Sequence, residues 1–162
     1  MTNFEPKRES KTYMMHLNAG PSSIFPLLCP VREYDWIEPW SCEMVYSRSG
    51  FAEKGCVFKT DFPDQGGKET WIVCKYEKDR AISFIRFLPD VKIVQLDIVL
   101  EEKTDHTTAA SWTQVYTGLS KKGNQWIENL SDETYEQEKA VLEKMLNFYL
   151  EEGQMMKLAA HH

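Results

Sequence analysis

Two rhythms of apolar and polar residues divide this chain. From Leu130 to about Glu152, apolar side chains recur at spacings of three, four and seven. Tyr135, Leu142, Met145, Leu146 and Tyr149 share one face, which Val141 and Phe148 widen. Glu136, Glu143, Lys144 and Glu151 fall largely on the other side. The pattern predicts one long amphipathic helix spanning roughly 30 Å. Ser131 is placed to cap it, because a serine hydroxyl accepts from an orphan backbone N–H one turn in. Asp132 and Glu133 follow where carboxylates favour the positive helix end, and Gly153 can take the left-handed conformation that ends it.

Upstream the rhythm is mostly period two. Val91 to Leu100 is the clearest strand, with Val94, Leu96, Ile98 and Leu100 on one face and Gln95 and Asp97 on the other. Lys11–Asn18, Ser41–Ser47, Cys56–Phe62, Thr70–Tyr76, Ala81–Leu88 and Thr107–Thr117 read as further strands, and Glu77–Arg80 marks a hairpin. Two interruptions stand out. Ile24 to Leu28 suits a short helix ended by Pro30, and Val31 to Trp40 holds a second short helix ended by Pro39. Pro63 to Gly67 reads as a mobile polar loop, and Lys121 to Asn124 as a linker. Residues 1–10 are expected to be a flexible N-terminus, 11–153 a single domain and 154–162 a tail. His161 and His162 are either native or the stub of an affinity tag. The order of one strand, two short helices, about six strands and a long helix predicts an α+β fold, an antiparallel meander with helices to one side (β-α-α-β6-α).

Composition narrows the function classes. The 162 residues carry a net charge of −6, and no Lys/Arg run exceeds two. That argues against a nucleic-acid groove, where neutralising phosphates dominates affinity. No apolar run approaches a membrane span of about 20 residues and no apolar signal core opens the chain, so the expectation is a cytoplasmic protein. Cys29, Cys42, Cys56 and Cys74 lie far apart, without the paired spacing of a zinc site, and read as small buried hydrophobes. No glycine-rich phosphate loop, H-x-x-x-H pair or Ser/His/Asp arrangement appears, so neither cofactor nor metal is expected.

Cys29-Pro30-Val31-Arg32-Glu33-Tyr34, Trp36, Trp40, Gly55-Cys56-Val57-Phe58, Thr70-Trp71, Ile98-Val99-Leu100 and Trp112 to Thr117 together resemble a bacterial, polyketide cyclase-like branch of the START/Bet v 1-like (SRPBCC) superfamily. The resemblance runs from about Thr12 to Glu152. It implies a helix-grip fold, a curved antiparallel sheet of about seven strands around the C-terminal helix, with a cavity between them for a hydrophobic small molecule. It supplies no catalytic residues, because this scaffold hosts carriers, receptors, cyclases and hydrolases.

Period two and this resemblance place Ile82, Phe84, Arg86 and Leu88, and Trp112, Gln114 and Tyr116, on the inward face. Leu142, Met145 and Tyr149 oppose them from the helix. Trp36, Trp40, Trp71, Phe84, Trp112, Tyr116 and Tyr149 form an aromatic set that either lines a pocket or packs as core. Arg86 is the informative member. Burying it unpaired costs several kcal/mol, so it pairs with Glu43 or Glu69, reaches water, or anchors a ligand oxyanion. Arg32 and Glu33 tie down the mouth by a salt bridge or gate it. Three readings follow: a carrier of a lipid-like or polyketide-like molecule, a cyclase/aromatase-type enzyme, and a homodimer with a collapsed cavity.

Overall fold

The computed structural model describes residues 3–158, so His161 and His162 lie outside the described residues. One antiparallel sheet of seven strands forms the body. β1 (Arg8–Leu17) is followed by α1 (Pro21–Ile24), then β2 (Glu43–Tyr46), β3 (Val57–Phe62), β4 (Gly67–Glu77), β5 (Ala81–Leu88), β6 (Lys92–Glu102) and β7 (Thr108–Gly118). α2 (Lys121–Asn129) and α3 (Asp132–Glu152) close the chain. The spatial order is β1-β7-β6-β5-β4-β3-β2, so β1 crosses to pair with β7 and the other strands follow in sequence. The α+β class, the meander and the long terminal helix stand as expected.

Alternation decides which face is buried. Val94, Leu96, Ile98 and Leu100 on β6 are buried, while Gln95 and Asp97 between them are exposed. Register shifts in β4 between Val73 and Lys75, and in β2 between Met44 and Tyr46, mark bulges. Bulges add twist and bend a strand, which is how a sheet curves around a helix.

α3 lies against the concave face and along β1. Ser131 Oγ accepts from Thr134 N at 3.0 Å, and Gly153 ends the helix at φ 70°. Tyr13 donates to Glu143 at 2.8 Å, Asn18 N donates to the Asn147 side chain at 2.9 Å, and Lys11 reaches Asp132 at 2.6 Å. The helix thus covers the edge strand that would otherwise present unpaired backbone groups.

Several local expectations are corrected. β1 starts at Arg8, so residues 8–10 are paired strand rather than a loose N-terminus. α1 is one turn, continued by a 3-10 turn at Phe25–Leu27, and the second short helix is a single 3-10 turn at Glu33–Asp35. Val141 is 43% exposed and does not widen the apolar face of α3. Cys29 and Cys56 are buried as expected, but Cys42 is half-buried and Cys74 exposed. Lys121–Asn124 is no linker: it opens α2, capped by Ser120 Oγ accepting from Gly123 N. A Cβ on Gly123 would sit 1.6 Å from the Val91 carbonyl oxygen, so this glycine lets α2 seat directly on the β5–β6 turn.

Candidate functional site

Strand pairing stacks the inward side chains in rows across the sheet. Leu100, Ala110 and Met15 form one row, Ile82, Ile98, Trp112 and Tyr13 the next, then Phe84, Leu96, Gln114 and Lys11, then Arg86, Val94 and Tyr116. Moving along the strands, the interior therefore changes from aliphatic to aromatic to polar.

A cavity of about 200 Å³ opens over the second and third rows. Its walls are Phe58, Trp71, Phe84, Leu96, Ile98, Trp112, Gln114 and Arg86 from the sheet, and Lys139 and Leu142 from α3. Glu33, Ile37, Pro39, Trp40 and Phe62 cover the rest. The aromatic wall is rigid. Trp71 stacks on Phe58 at 5.1 Å between ring centroids, and Phe84 meets both edge-on. Trp71 Nε1 donates to Thr60 Oγ1 at 2.8 Å, and Trp40 Nε1 donates to the Pro30 carbonyl at 2.8 Å. Each ring is thereby held in one orientation.

Of the residues singled out from sequence, Trp40, Trp71, Phe84, Arg86, Trp112 and Gln114 meet on this wall. Trp36 instead lies fully buried in the core, donating to the Leu27 carbonyl at 2.8 Å. Met145 is buried core, and Tyr149 packs against that core half-buried. Tyr116 faces inward but lies beneath α2, its ring 5.8 Å from Trp126 in a small separate cluster with Val94 and Ile127.

Arg86 takes the paired alternative. Its Nη2 donates to Glu69 Oε1 at 2.6 Å and to Gln65 Oε1 at 2.9 Å, and its guanidinium lies 4.4 Å over the Trp71 ring. Lys92, fully buried, donates to the Gln65 carbonyl at 2.7 Å and sits 3.1 Å over the Trp126 ring. Pro63–Gly67 is thus held down by two cations instead of lying free. Arg32 pairs with Asp35 at 2.8 Å, not with Glu33. Glu33 turns into the cavity instead, where burial pushes its carboxyl up to about 8, against the opposing pull of Lys139.

Lys139 is the wall residue that sequence reasoning missed. It is 9% exposed, and among the described residues no ion pair or hydrogen bond holds its ammonium, which meets only aromatic rings. Its ammonium lies 5.2 Å from the Tyr135 ring and 5.7 Å from the Trp112 ring. Burial lowers it to about 8, with the Arg86 charge adding to the effect. The signal was present: position 139 falls four after Tyr135 and three before Leu142, on the apolar stripe. Three buried polar atoms on the same wall also lack partners, namely Arg86 Nε, Trp112 Nε1 and Gln114 Oε1, with Glu69 Oε2 behind them. A second hollow of about 210 Å³, lined by Phe25, Leu28, Cys29, Phe51 and Tyr76, has no such orphaned atoms.

Comparisons place this geometry among known folds. No protein-family model matches the chain, and no curated protein does. Solved structures do. The Zhui aromatase/cyclase from Streptomyces sp. R1128 superposes with a TM-score of 0.66 at 9% identity, covering 93% of this chain and 100% of that one. The Aha1 dimer from Colwellia psychrerythraea gives 0.61 at 19%, covering 90% and 98%. Ara h 8.0201 gives 0.56 at 15%, covering 89% and 98%. The fold is therefore the helix-grip fold that these structures share, which is the fold the sequence resemblance implied. Identities this low establish fold and not activity. No helix among the described residues is long and apolar enough to cross a membrane, and no cluster among them could hold a metal ion.

Proposed function

We propose that this protein binds a hydrophobic small molecule in the cavity between the sheet and α3. The observation that carries the reading is the coincidence of an aromatic wall with orphaned buried polar groups at one place. Arg86 Nε, Trp112 Nε1 and Gln114 Oε1, buried and without partners, converge with the unpaired Lys139 side chain on a hollow already shaped by Phe58, Trp71 and Phe84. An unpartnered buried polar group costs about 1–3 kcal/mol, so several together favour a guest that completes them. The Zhui and Ara h 8.0201 structures, which share the fold, are compatible with it. Native mass spectrometry of protein purified from cells under non-denaturing conditions tests it. The expected result is a retained small molecule that is absent from Leu142→Trp, whose indole fills the cavity. A retained molecule that survives Leu142→Trp places binding elsewhere and overturns the site.

A second reading rests on the pair of groups near neutrality. Glu33, up at about 8, and Lys139, down at about 8, face the same cavity. General acid–base catalysis is most efficient with groups titrating near the working pH. Cyclisation of a β-keto compound is the corresponding reaction, with Glu33 moving a proton at the carbon next to a carbonyl. Ring formation followed by ultraviolet absorbance, and lost in Glu33→Gln, would favour the enzyme over the carrier. The homodimer keeps one support, the dimeric Aha1 structure on the same fold.

A further inference from the structure

The chemical class of the guest can be read from the charges around the hollow, granting that the cavity is a binding site. Arg86 is already compensated. Its Nη2 holds Glu69 and Gln65, and the Glu69 side chain is fully buried against it. That pair is a structural unit, and a ligand acid would have to displace a carboxylate at 2.6 Å to use it. Lys139 is different. It is as buried as the aromatic wall, faces the hollow, and finds no acceptor among the described residues. An ammonium drawn this far from bulk water without a partner loses hydration that nothing in the fold restores. Glu33 is the acidic group on the same wall; it is half-buried, makes no hydrogen bond or ion pair with Lys139 among the described residues, and burial raises its carboxyl, which weakens it as a counter-charge. Trp112 adds an unused N–H. One cation and one unused N–H therefore meet beside α3 in a cavity whose other walls are largely aromatic and aliphatic.

Size narrows the class further. About 200 Å³ lies below the roughly 300–1,000 Å³ of sites for drug-sized ligands. One or two fused rings fit, while a long acyl chain or a multi-ring skeleton does not. Flat walls suit flat guests: Phe58 and Trp71 stack nearly parallel at 25°, with Phe84 edge-on to them.

We propose that the cavity takes a small planar monocarboxylic acid, its rings against Trp71, Phe84 and Trp112 and its carboxylate on the Lys139 ammonium. The ligand supplies at contact distance a counter-charge that Glu138, Asp64 and Glu33 supply only from further away. Selectivity for the anion over its neutral amide is the property that Lys139 confers, because an amide of the same shape gains the aromatic contacts but not the charge-assisted hydrogen bond.

The test compares 2-naphthoate with 2-naphthamide by titration calorimetry on the full chain at pH 7. Naphthoate is expected to bind at least about ten-fold tighter than naphthamide, a charge-assisted bond's share. Lys139→Met is expected to weaken naphthoate by about the same factor and leave naphthamide within two-fold. Equal binding of acid and amide by the native protein overturns the anion proposal, leaves the cavity reading standing, and needs no variant that must fold. Naphthoate affinity unchanged in a folded Lys139→Met removes Lys139 from the site. If neither compound binds up to 1 mM, the anion proposal and the cavity reading fall together.

Discussion

The two ends of the same interior are built from opposite chemistry. Toward α1, the inward rows are Met15, Leu17, Leu100 and Ala110, closed by Ile24, Leu28 and Leu146 and almost wholly dehydrated. Four residues further along the same strands, β5 turns from Ile82 to Arg86 and β7 from Ala110 to Gln114. α3 shows the same change: Met145 and Leu146 in its second half are apolar, whereas its first half buries Lys139. A core built for stability has no reason to bury a lysine, an arginine and a glutamine within one hollow. Burying charge is costly even when paired, and apolar replacements of buried ion pairs are often neutral or stabilising. The aliphatic end therefore carries the fold, and the charged end carries the proposed binding site.

The sharpest way to break that division is at Glu69. Glu69→Leu strands the Arg86 guanidinium in the interior and is expected to cost about 4 kcal/mol in urea unfolding, from the loss of a buried partner. Glu69→Leu with Arg86→Met is expected to recover most of it, since both charges are then gone. A single substitution costing under about 1 kcal/mol would mean that water already reaches Arg86. Next in size is the aliphatic end. Leu146→Ala is expected to cost about 3 kcal/mol, transfer plus cavity, while leaving naphthoate binding within two-fold. If it weakens binding as strongly as it weakens folding, the two ends are not separable.

The sequence carried the aliphatic end almost completely. Period two shows the faces of β6, the family resemblance adds those of β5 and β7, and the capping of α3 by Ser131 and Gly153 falls where expected. It carried the charged end only in part. Arg86 was legible as an inward cation because strand alternation is rigid, but its partner, named as Glu43 or Glu69, depends on the β4–β5 register. Trp71 sits opposite Arg86 and Glu69 two residues before it, a placement that the hairpin and the Val73–Lys75 bulge set together. Lys139 does not stand out in the sequence, because lysine on a helix is ordinarily a solvated residue. Tyr116 was drawn into the pocket because nothing in the Lys121–Asn124 stretch announced a helix. Only the contact of Gly123 with the Val91 carbonyl explains why α2 settles over that ring.

The smallest expected effect separates the charged end by its proton linkage. Burial raises Glu33 from 4.5 to about 8, so between those values the folded protein holds a proton that the unfolded chain has released. Its contribution is full below pH 4.5 and is lost as pH rises through about 8, so stability declines across that window. Lys139 is lowered from 10.5 to about 8, so between those values the unfolded chain holds the extra proton. Stability then rises with pH from about 8 to 10.5, with Lys92, lowered by burial to about 7, acting in the same direction. Glu138, half-buried and raised by the same cause, reinforces the falling limb. A shallow minimum near pH 8 follows. Glu33→Gln is expected to flatten the falling limb by about 1 kcal/mol between pH 5 and 7, small because Glu33 is only half-buried. Lys139→Met is expected to flatten the rising limb above pH 8 and leave the falling one. Urea midpoints at pH 5, 7, 8 and 10 for the three proteins resolve both limbs. Parallel curves for native protein and Glu33→Gln would place that carboxyl in water, outside the cavity. Opposite limbs flattened by the two variants would mean that the acid and the base both titrate from the cavity wall.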